Sequence, residues 1–192
     1  MGAQKLERAS ISQYLALEEK GLSKYEYADG QITAMTGGSI NHGLLCGNIY
    51  SELRSGIERQ GLACNALGSE IRIYIEKADA IVYPDAMVIC GDIATSPEAV
   101  EAVTNPILVV EVLSKSTESH DRGDKFYKYR QLDTLQEYML IDQSKAVVET
   151  FYRRDATVWE IARFMGLEQT VELKSIALSI NMRALYSDVR MG

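Results

Sequence analysis

The chain has 192 residues, 46% of them apolar, and a formal net charge of −7, a composition typical of a globular protein of about one domain. The acidic balance disfavours proteins that coat nucleic acid, because that binding comes from lysines and arginines that neutralise phosphates. The sequence has no apolar run of membrane-spanning length and no signal-peptide pattern in residues 1–8, so we expect a cytoplasmic protein without a membrane partner.

The first third of the sequence predicts a helix, a hairpin and a second helix. An amphipathic segment follows Ser10, which is a good N-cap residue. The pair Asp29-Gly30 lies between two short strand-like runs and favours a tight hairpin turn. A longer helix begins after Ser39 or Asn41 and stops at Gly61.

Three cysteines, Cys46, Cys64 and Cys90, are widely spaced among apolar or small residues. Their odd number and spacing favour neither a disulfide framework nor a zinc site. We therefore expect three free thiols.

An acid interrupts the second of two strand-like runs in the middle of the chain. Residues 70–76 alternate apolar and polar side chains, and residues 80–90 follow after a polar turn, so the two runs predict an antiparallel hairpin. Asp85 interrupts the apolar run 80–90. Pro84, just before it, cannot donate to a strand ladder, which predicts a bulge or a strand edge that redirects the Asp85 side chain.

A second acid lies inside the most apolar strand of the sequence. Residues 105–117 predict a buried central strand with Glu111 in its middle. An unpaired buried charge costs several kcal/mol, so Glu111 must be paired, protonated or bound to a metal. A structural salt bridge with Lys or Arg is one alternative. A cation shared with Asp85 is the other, and an oxygen-only pair suits Mg²⁺ or Mn²⁺.

The segment 119–132 predicts a helix with an apolar stripe formed by Phe126, Tyr129 and Leu132. At about 100° per residue, Lys125 projects within this stripe and Lys128 lies off its centre. Lys125 either reaches the acids or lays its stem along the edge of the core. The remaining elements are a short helix at 98–103, strands at 137–142, 146–152, 156–164 and 170–173, and a helix near 182–186.

The acids and their neighbours resemble the PD-(D/E)xK signature of restriction-endonuclease-like proteins, and more closely an uncharacterised bacterial branch of that superfamily. The matching motifs span about Tyr25 to Tyr152 and occur in the branch's order: Tyr25-Glu26, Gly30, His42, Pro84-Asp85, Glu111 to Thr117, Asp121, Lys125, Tyr129, Glu137-Tyr138 and Asp142. The resemblance implies an α/β fold, with a restriction-endonuclease-like mixed central sheet flanked by helices. We expect one domain over residues 1–192 with its core at about 25–152.

The resemblance also implies metal-dependent hydrolysis of phosphodiester bonds in DNA. It places Mg²⁺ or Mn²⁺ on Asp85, Glu111 and the carbonyl of Val112. Leu113 occupies the superfamily's usual lysine position, and the resembling branch supplies the lysine from the following helix. We expect Lys125 to orient the attacking water or stabilise developing charge, with Lys115 and Lys128 as reserves.

Glu26 and His42 are candidates for the same site only through the resemblance. The alternatives are a cross-strand pair for Glu26 and a local hydrogen bond near a helix N-terminus for His42. The acidic composition favours another function, a nuclease fold that has lost catalysis and serves binding or assembly. A hydrolase of smaller phosphoesters is a third function, and a homodimer would suit paired cutting of duplex DNA.

Overall fold

A computed structural model of the chain describes residues 8–21 and 23–191. Its main sheet has six strands, which are, from one edge to the other, β10 (Trp159–Met165), β9 (Val147–Arg153), β8 (Glu137–Asp142), β7 (Leu108–Leu113), β6 (Ala86–Cys90) and β3 (Cys64–Gly68). Strands β7 and β8 are parallel and all other neighbours are antiparallel. The prediction of a mixed central sheet is confirmed.

All six residues of β7 are buried, as expected of an apolar strand covered on both faces. A parallel pair requires a long crossover. Here the crossover contains α3 (Glu118–His120), a π-helical turn (Asp121–Lys125) and α4 (Phe126–Tyr129). This helical segment packs on one face of the sheet through Tyr129 and Leu132.

The opposite face of the main sheet is covered by α2 (Ile40–Gln60), the hairpin of β11 (Thr170–Leu173) and β12 (Leu178–Asn181), and α5 (Met182–Leu185). Ser39 caps α2 by accepting the backbone N–H of His42. Gly61 ends α2 in a left-handed conformation with φ 63°, which glycine adopts without steric cost.

A smaller sheet lies on the same side as the crossover helix. Its strands are, in spatial order, β2 (Gln31–Ala34), β1 (Tyr25–Ala28), β5 (Ala80–Val82) and β4 (Ile73–Ile75). The N-terminal α1 (Ile11–Glu18) packs against this sheet through the buried Tyr14. The hairpin predicted around Asp29-Gly30 is confirmed, with Ala28 paired to Gln31.

The run 80–90 is not one strand, contrary to the sequence prediction. Its first half, β5, pairs with β4 in the small sheet, whereas its second half, β6, pairs with β3 and β7 in the main sheet. The chain leaves one sheet and enters the other at residues 83–85, where Pro84 offers no N–H for a ladder. The predicted helix at 98–103 is also wrong, because Glu101 has a φ of 60°, which ends helical geometry.

The expectation of three free thiols is wrong for two of them. Cys64 on β3 lies opposite Cys90 on β6, and the two form a disulfide. Strand β3 was not predicted, and without it nothing in the sequence brings these cysteines together. Cys46, on α2, is free as expected.

No helix in the described part of the chain is long and apolar enough to cross a membrane. Residues 1–7, most of the segment in which the sequence shows no signal-peptide pattern, lie outside the described residues. The cytoplasmic location stays a prediction.

Candidate active site

An open cleft of about 1190 Å³ lies between the small sheet, the start of α2 and the crossover helix. Asp85 and Glu111 lie at its base. Asp85 immediately precedes β6, and the next residue, Ala86, pairs with Val110 of β7. The structure therefore brings the two acids side by side, at neighbouring positions of adjacent strands.

The Asp85 carboxylate takes the place of a missing ladder partner at the end of β6. The backbone N–H of Val112 donates to Asp85 Oδ2 at 2.7 Å, and the N–H of Asp85 donates to the Val110 carbonyl at 3.1 Å. The N–H and C=O of one strand residue point to the same edge, so the Val112 carbonyl also faces the Asp85 side of β7. This is the orientation that a third oxygen ligand requires.

Glu111 is only 3% exposed, and its charge is compensated from the crossover helix. Lys125 Nζ is 2.9 Å from Glu111 Oε1, and the Tyr129 hydroxyl donates to the same oxygen at 2.7 Å. Burial raises the pKa of Glu111 well above its usual range, Lys125 lowers it, and Asp85 raises it further. The salt bridge considered as an alternative for Glu111 is therefore present, together with a neighbouring second acid.

Lys125 is 5% exposed and donates to three oxygens around it. Besides Glu111, its ammonium contacts Glu26 Oε1 at 3.0 Å and the carbonyl of Tyr83 at 3.0 Å. Burial acts to lower the pKa of Lys125, but Glu111 and Glu26 outweigh burial and raise it. Since an ammonium has three N–H donors, all of them are engaged by the protein.

Glu26 belongs to β1 and reaches the cleft from the small sheet. Its Oε1 also accepts the backbone N–H of Tyr83 at 3.1 Å. Tyr83 thus holds both Lys125 and Glu26 through its main chain, at the point where the chain crosses between the two sheets.

His42, at the start of α2, lies on the other side of Asp85. Its Nε2 is 3.4 Å from Asp85 Oδ2. The hydrogen bond with Asp85 raises the pKa of His42, against the effect of burial. Burial acts to raise the pKa of Asp85, but His42 and the Val112 N–H lower it, with a net decrease. Asp85 is therefore the acid held ionised, and Glu111 the acid that resists ionisation.

Sequence reasoning did not select Asp121 as a site residue, although it belongs to the motif order. Asp121 is 4% exposed, lines the cleft, and has a pKa raised by burial and lowered by Lys125. Asp121 and Lys125 begin and end the π-helical turn, a local widening that is frequent at functional sites. The motif order, rather than helical periodicity, is the signal that could have selected Asp121.

The charges at the base of the cleft suit a divalent cation. Four carboxylates, those of Glu26, Asp85, Glu111 and Asp121, surround one lysine and one histidine. Such an excess of negative charge in a partly dry site is relieved by protonation or by a cation. The carboxylates and the Val112 carbonyl are hard oxygen donors, which Mg²⁺ and Mn²⁺ prefer. The residues present therefore fit the metal that the resemblance implies.

The two reserve lysines are more exposed than Lys125. Lys115 is exposed and Lys128 is half-buried, and both line the cleft together with Lys145 and Arg190. Neither Lys115 nor Lys128 makes an ion pair with a residue that the structure describes. These four cations share the cleft lining with the acids Glu118, Asp124 and Asp142.

One family model matches most of the chain. The model of the family Uma2, described as “Putative restriction endonuclease”, matches residues 11–183. The chain belongs to the Uma2 family. The predicted restriction-endonuclease-like family is confirmed, whereas the roles of Asp85, Glu111, Val112, Lys125, Glu26 and His42 stay predictions.

Two uncharacterized proteins of Synechocystis sp. (strain ATCC 27184 / PCC 6803 / Kazusa) resemble this Uma2 chain over most of its length. Protein slr1290 is 34% identical over 179 residues, covering 93% of this chain and 92% of its own. Protein sll1609 is 35% identical over 164 residues, covering 85% of this chain and 91% of its own.

The crystal structure of a “putative nuclease belonging to DUF820” from Anabaena variabilis ATCC 29413 has a similar fold. It matches with a TM-score of 0.73 at 19% identity and covers 93% of this chain and 97% of that one. At that identity the match shows the fold, and the predicted fold is confirmed.

Proposed function

We propose that this Uma2 protein is a Mg²⁺-dependent endonuclease that hydrolyses phosphodiester bonds in DNA. One observation carries the proposal: Asp85, Glu111 and Lys125 meet at the base of one cleft, with Lys125 Nζ 2.9 Å from Glu111. The family's description as a restriction endonuclease supports the reaction class.

The metal would be held by Asp85, Glu111 and the carbonyl of Val112. When bound, it supplies a Lewis acid for the phosphate and lowers the pKa of a coordinated water. Asp85 is prepared for this role, since the Val112 N–H and His42 keep it ionised. Only the carboxylate form of Glu111 coordinates a cation, and burial raises its pKa, so binding should strengthen as pH rises.

Lys125 holds Glu111 and Glu26 in place and keeps positive charge next to the reacting phosphate. Its three contacts with protein oxygens mean that it gives up one of them if it is to touch the water or the phosphate. In this proposal the cleft residues Lys115, Lys128, Lys145 and Arg190 contact flanking phosphates of the nucleic acid. Arginine and lysine contacts of this kind make binding salt-dependent.

A catalytically inactive binding or assembly module is the second candidate. The net charge of −7 and the full engagement of Lys125 favour it. A hydrolase of a smaller phosphoester is the third candidate, because the cleft is open and the same acids and metal would act on any phosphoester that reaches them. A homodimer, which would place two clefts for paired cutting, belongs to the proposal and is tested by light scattering of the purified protein.

Cleavage assays separate the three candidates. Supercoiled plasmid, single-stranded RNA and p-nitrophenyl phosphodiester are each incubated with wild type and Asp85→Ala in Mg²⁺. The proposal predicts plasmid nicking that Mg²⁺ supports and Asp85→Ala abolishes, with Asp124→Ala, an exposed acid of the same cleft, as active control. Turnover of the small ester alone supports the third candidate. Magnesium-dependent DNA binding without cleavage supports the second.

A further inference from the structure

A second group of potential metal ligands lies beside the carboxylates, formed by His42, Cys46 and Asp85. His42 and Cys46 are four residues apart on α2, so they project from one face of the helix. His42 Nδ1 is 3.4 Å from Cys46 Sγ, and His42 Nε2 is 3.4 Å from Asp85 Oδ2. One ligand atom of each residue lies within 4.8 Å of the other two, which holds for no other trio among the described residues.

This donor set differs chemically from the oxygen site, which is the set of Asp85, Glu111 and the Val112 carbonyl proposed to hold Mg²⁺. A thiolate, an imidazole and a carboxylate together are typical ligands of Zn²⁺ and similar ions, and Mg²⁺ avoids sulfur. Zinc–ligand bonds of about 2.0–2.3 Å put the ligand atoms of a tetrahedral site roughly 3.4–3.8 Å apart. One ligand atom of each side chain lies within 4.8 Å of the other two, so the trio must contract to that spacing. The His42 ring must also turn, because its Nδ1 faces Cys46 and its Nε2 faces Asp85, and a single nitrogen binds the ion. The fourth position stays open.

Cys46 is available for this role. The other two cysteines are joined to each other in the Cys64–Cys90 disulfide, and Cys46 is the free thiol. It is half-buried one helical turn from His42, which lines the cleft together with Asp85.

We propose that His42, Cys46 and Asp85 bind a zinc-class ion at a site that shares only Asp85 with the oxygen site. The thiol proton of Cys46 is released to solvent as the metal–sulfur bond forms. The consequence rests on the proposed function: because Asp85 serves both sites, a zinc-class ion withdraws it from Mg²⁺ and inhibits hydrolysis. The site is thus an inhibitory metal site within the active cleft.

Cobalt titration tests the binding site without any activity. Co²⁺ bound to a thiolate gives a charge-transfer absorption in the near ultraviolet, which oxygen and nitrogen ligands do not give. We expect this band in wild type with one equivalent of Co²⁺, its loss in Cys46→Ser and Cys46→Ala, and its retention in Glu111→Gln. Cys46→Ser and Cys46→Ala keep Cys64 and Cys90, so they also control for those sulfurs. No band in wild type, or a band that survives both Cys46 variants, would overturn the proposal.

Competition tests the sharing of Asp85. Magnesium alone should raise the melting temperature of wild type. When one equivalent of Zn²⁺ is already bound, adding Mg²⁺ should cause no rise in wild type, but it should still cause one in Cys46→Ser. If Mg²⁺ has no effect even without Zn²⁺, the oxygen site fails while the cobalt result still decides the thiolate site. If Mg²⁺ stabilises wild type equally with and without Zn²⁺, the two sites do not share Asp85.

Discussion

Replacing Lys125 by Met removes the cation from the base of the cleft and leaves a side chain of similar length. Lys125 contacts Glu111 Oε1 at 2.9 Å, Glu26 Oε1 at 3.0 Å and the Tyr83 carbonyl at 3.0 Å, all in a buried position. In the variant, Glu111 keeps the hydrogen bond from Tyr129 but loses the charge that lowers its pKa.

The expected cost follows from removing one partner of a buried ion pair, which is about 3–5 kcal/mol. For a chain of this length, 1 kcal/mol lowers the melting temperature by roughly 2–4 °C, so the variant should melt about 6–20 °C below wild type at neutral pH. Acid should reduce this difference. Protonation of Glu111 removes the charge that has lost its partner, and burial already raises the pKa of Glu111.

The assay is thermal unfolding of wild type, Lys125→Met and Lys128→Met at neutral and acidic pH, with and without Mg²⁺. Lys128 lies on the same helix and makes no ion pair with a described residue, so Lys128→Met should change stability by less than about 0.5 kcal/mol. Magnesium should restore part of the stability of Lys125→Met. Equal melting of the two variants at neutral pH, or a larger loss for Lys125→Met in acid, would refute the reasoning.

Three further predictions concern the surroundings of this pair. The pKa of Glu111 is raised in the folded state, so its protonation stabilises the fold in acid. This stability is lost as pH rises from the usual carboxyl range to the raised pKa. Glu111→Gln should therefore reduce the dependence of the unfolding free energy on pH, as measured by urea titrations. Tyr129→Phe removes a 2.7 Å hydrogen bond to the buried carboxylate and should cost about 1.5–3 kcal/mol, while the exposed Tyr127→Phe should cost almost nothing in the same denaturation experiment. A Cβ at Gly38 would lie 2.8 Å from His42 Nδ1, so Gly38→Ala should displace the imidazole and lower the pKa of His42 toward its ordinary value, as measured by proton NMR.

The sequence predicted elements whose signals are local. Asp29-Gly30 permits the tight turn between β1 and β2, since both residues have positive φ. Ser39, one of two proposed caps, begins α2, and Gly61 ends it. The apolar run around Glu111 forms the central strand β7 because both faces of the sheet are covered.

Features that depend on pairing between distant strands were not predictable in the same way. Residues 80–90 have one continuous apolar pattern, yet Pro84 divides them between two sheets. The Cys64–Cys90 disulfide follows from the pairing of β3 with β6, and β3 has a weak strand signal of its own. Local periodicity carries no information on which strand lies next to which.

The candidate site was predicted as a set of residues but not as a set of contacts. Helical phase placed Lys125 on the inner face, although the phase calculation assumed a regular α-helix and the segment contains a π-helical turn. The raised pKa of Glu111 also depends on the fold, because burial is its main cause and repulsion from Asp85 contributes less. The Tyr83 carbonyl, which completes the shell of Lys125, leaves no signal in the sequence because it is a main-chain atom.

Calorimetric titration with Mg²⁺ tests the central claim, a divalent cation on Asp85 and Glu111, most directly. Wild type and Asp124→Ala should bind Mg²⁺ with the same heat, more strongly at higher pH as Glu111 ionises, whereas Asp85→Ala should give no binding heat. Equal heats for wild type and Asp85→Ala, or no heat for wild type at any pH at which it remains folded, would contradict the account.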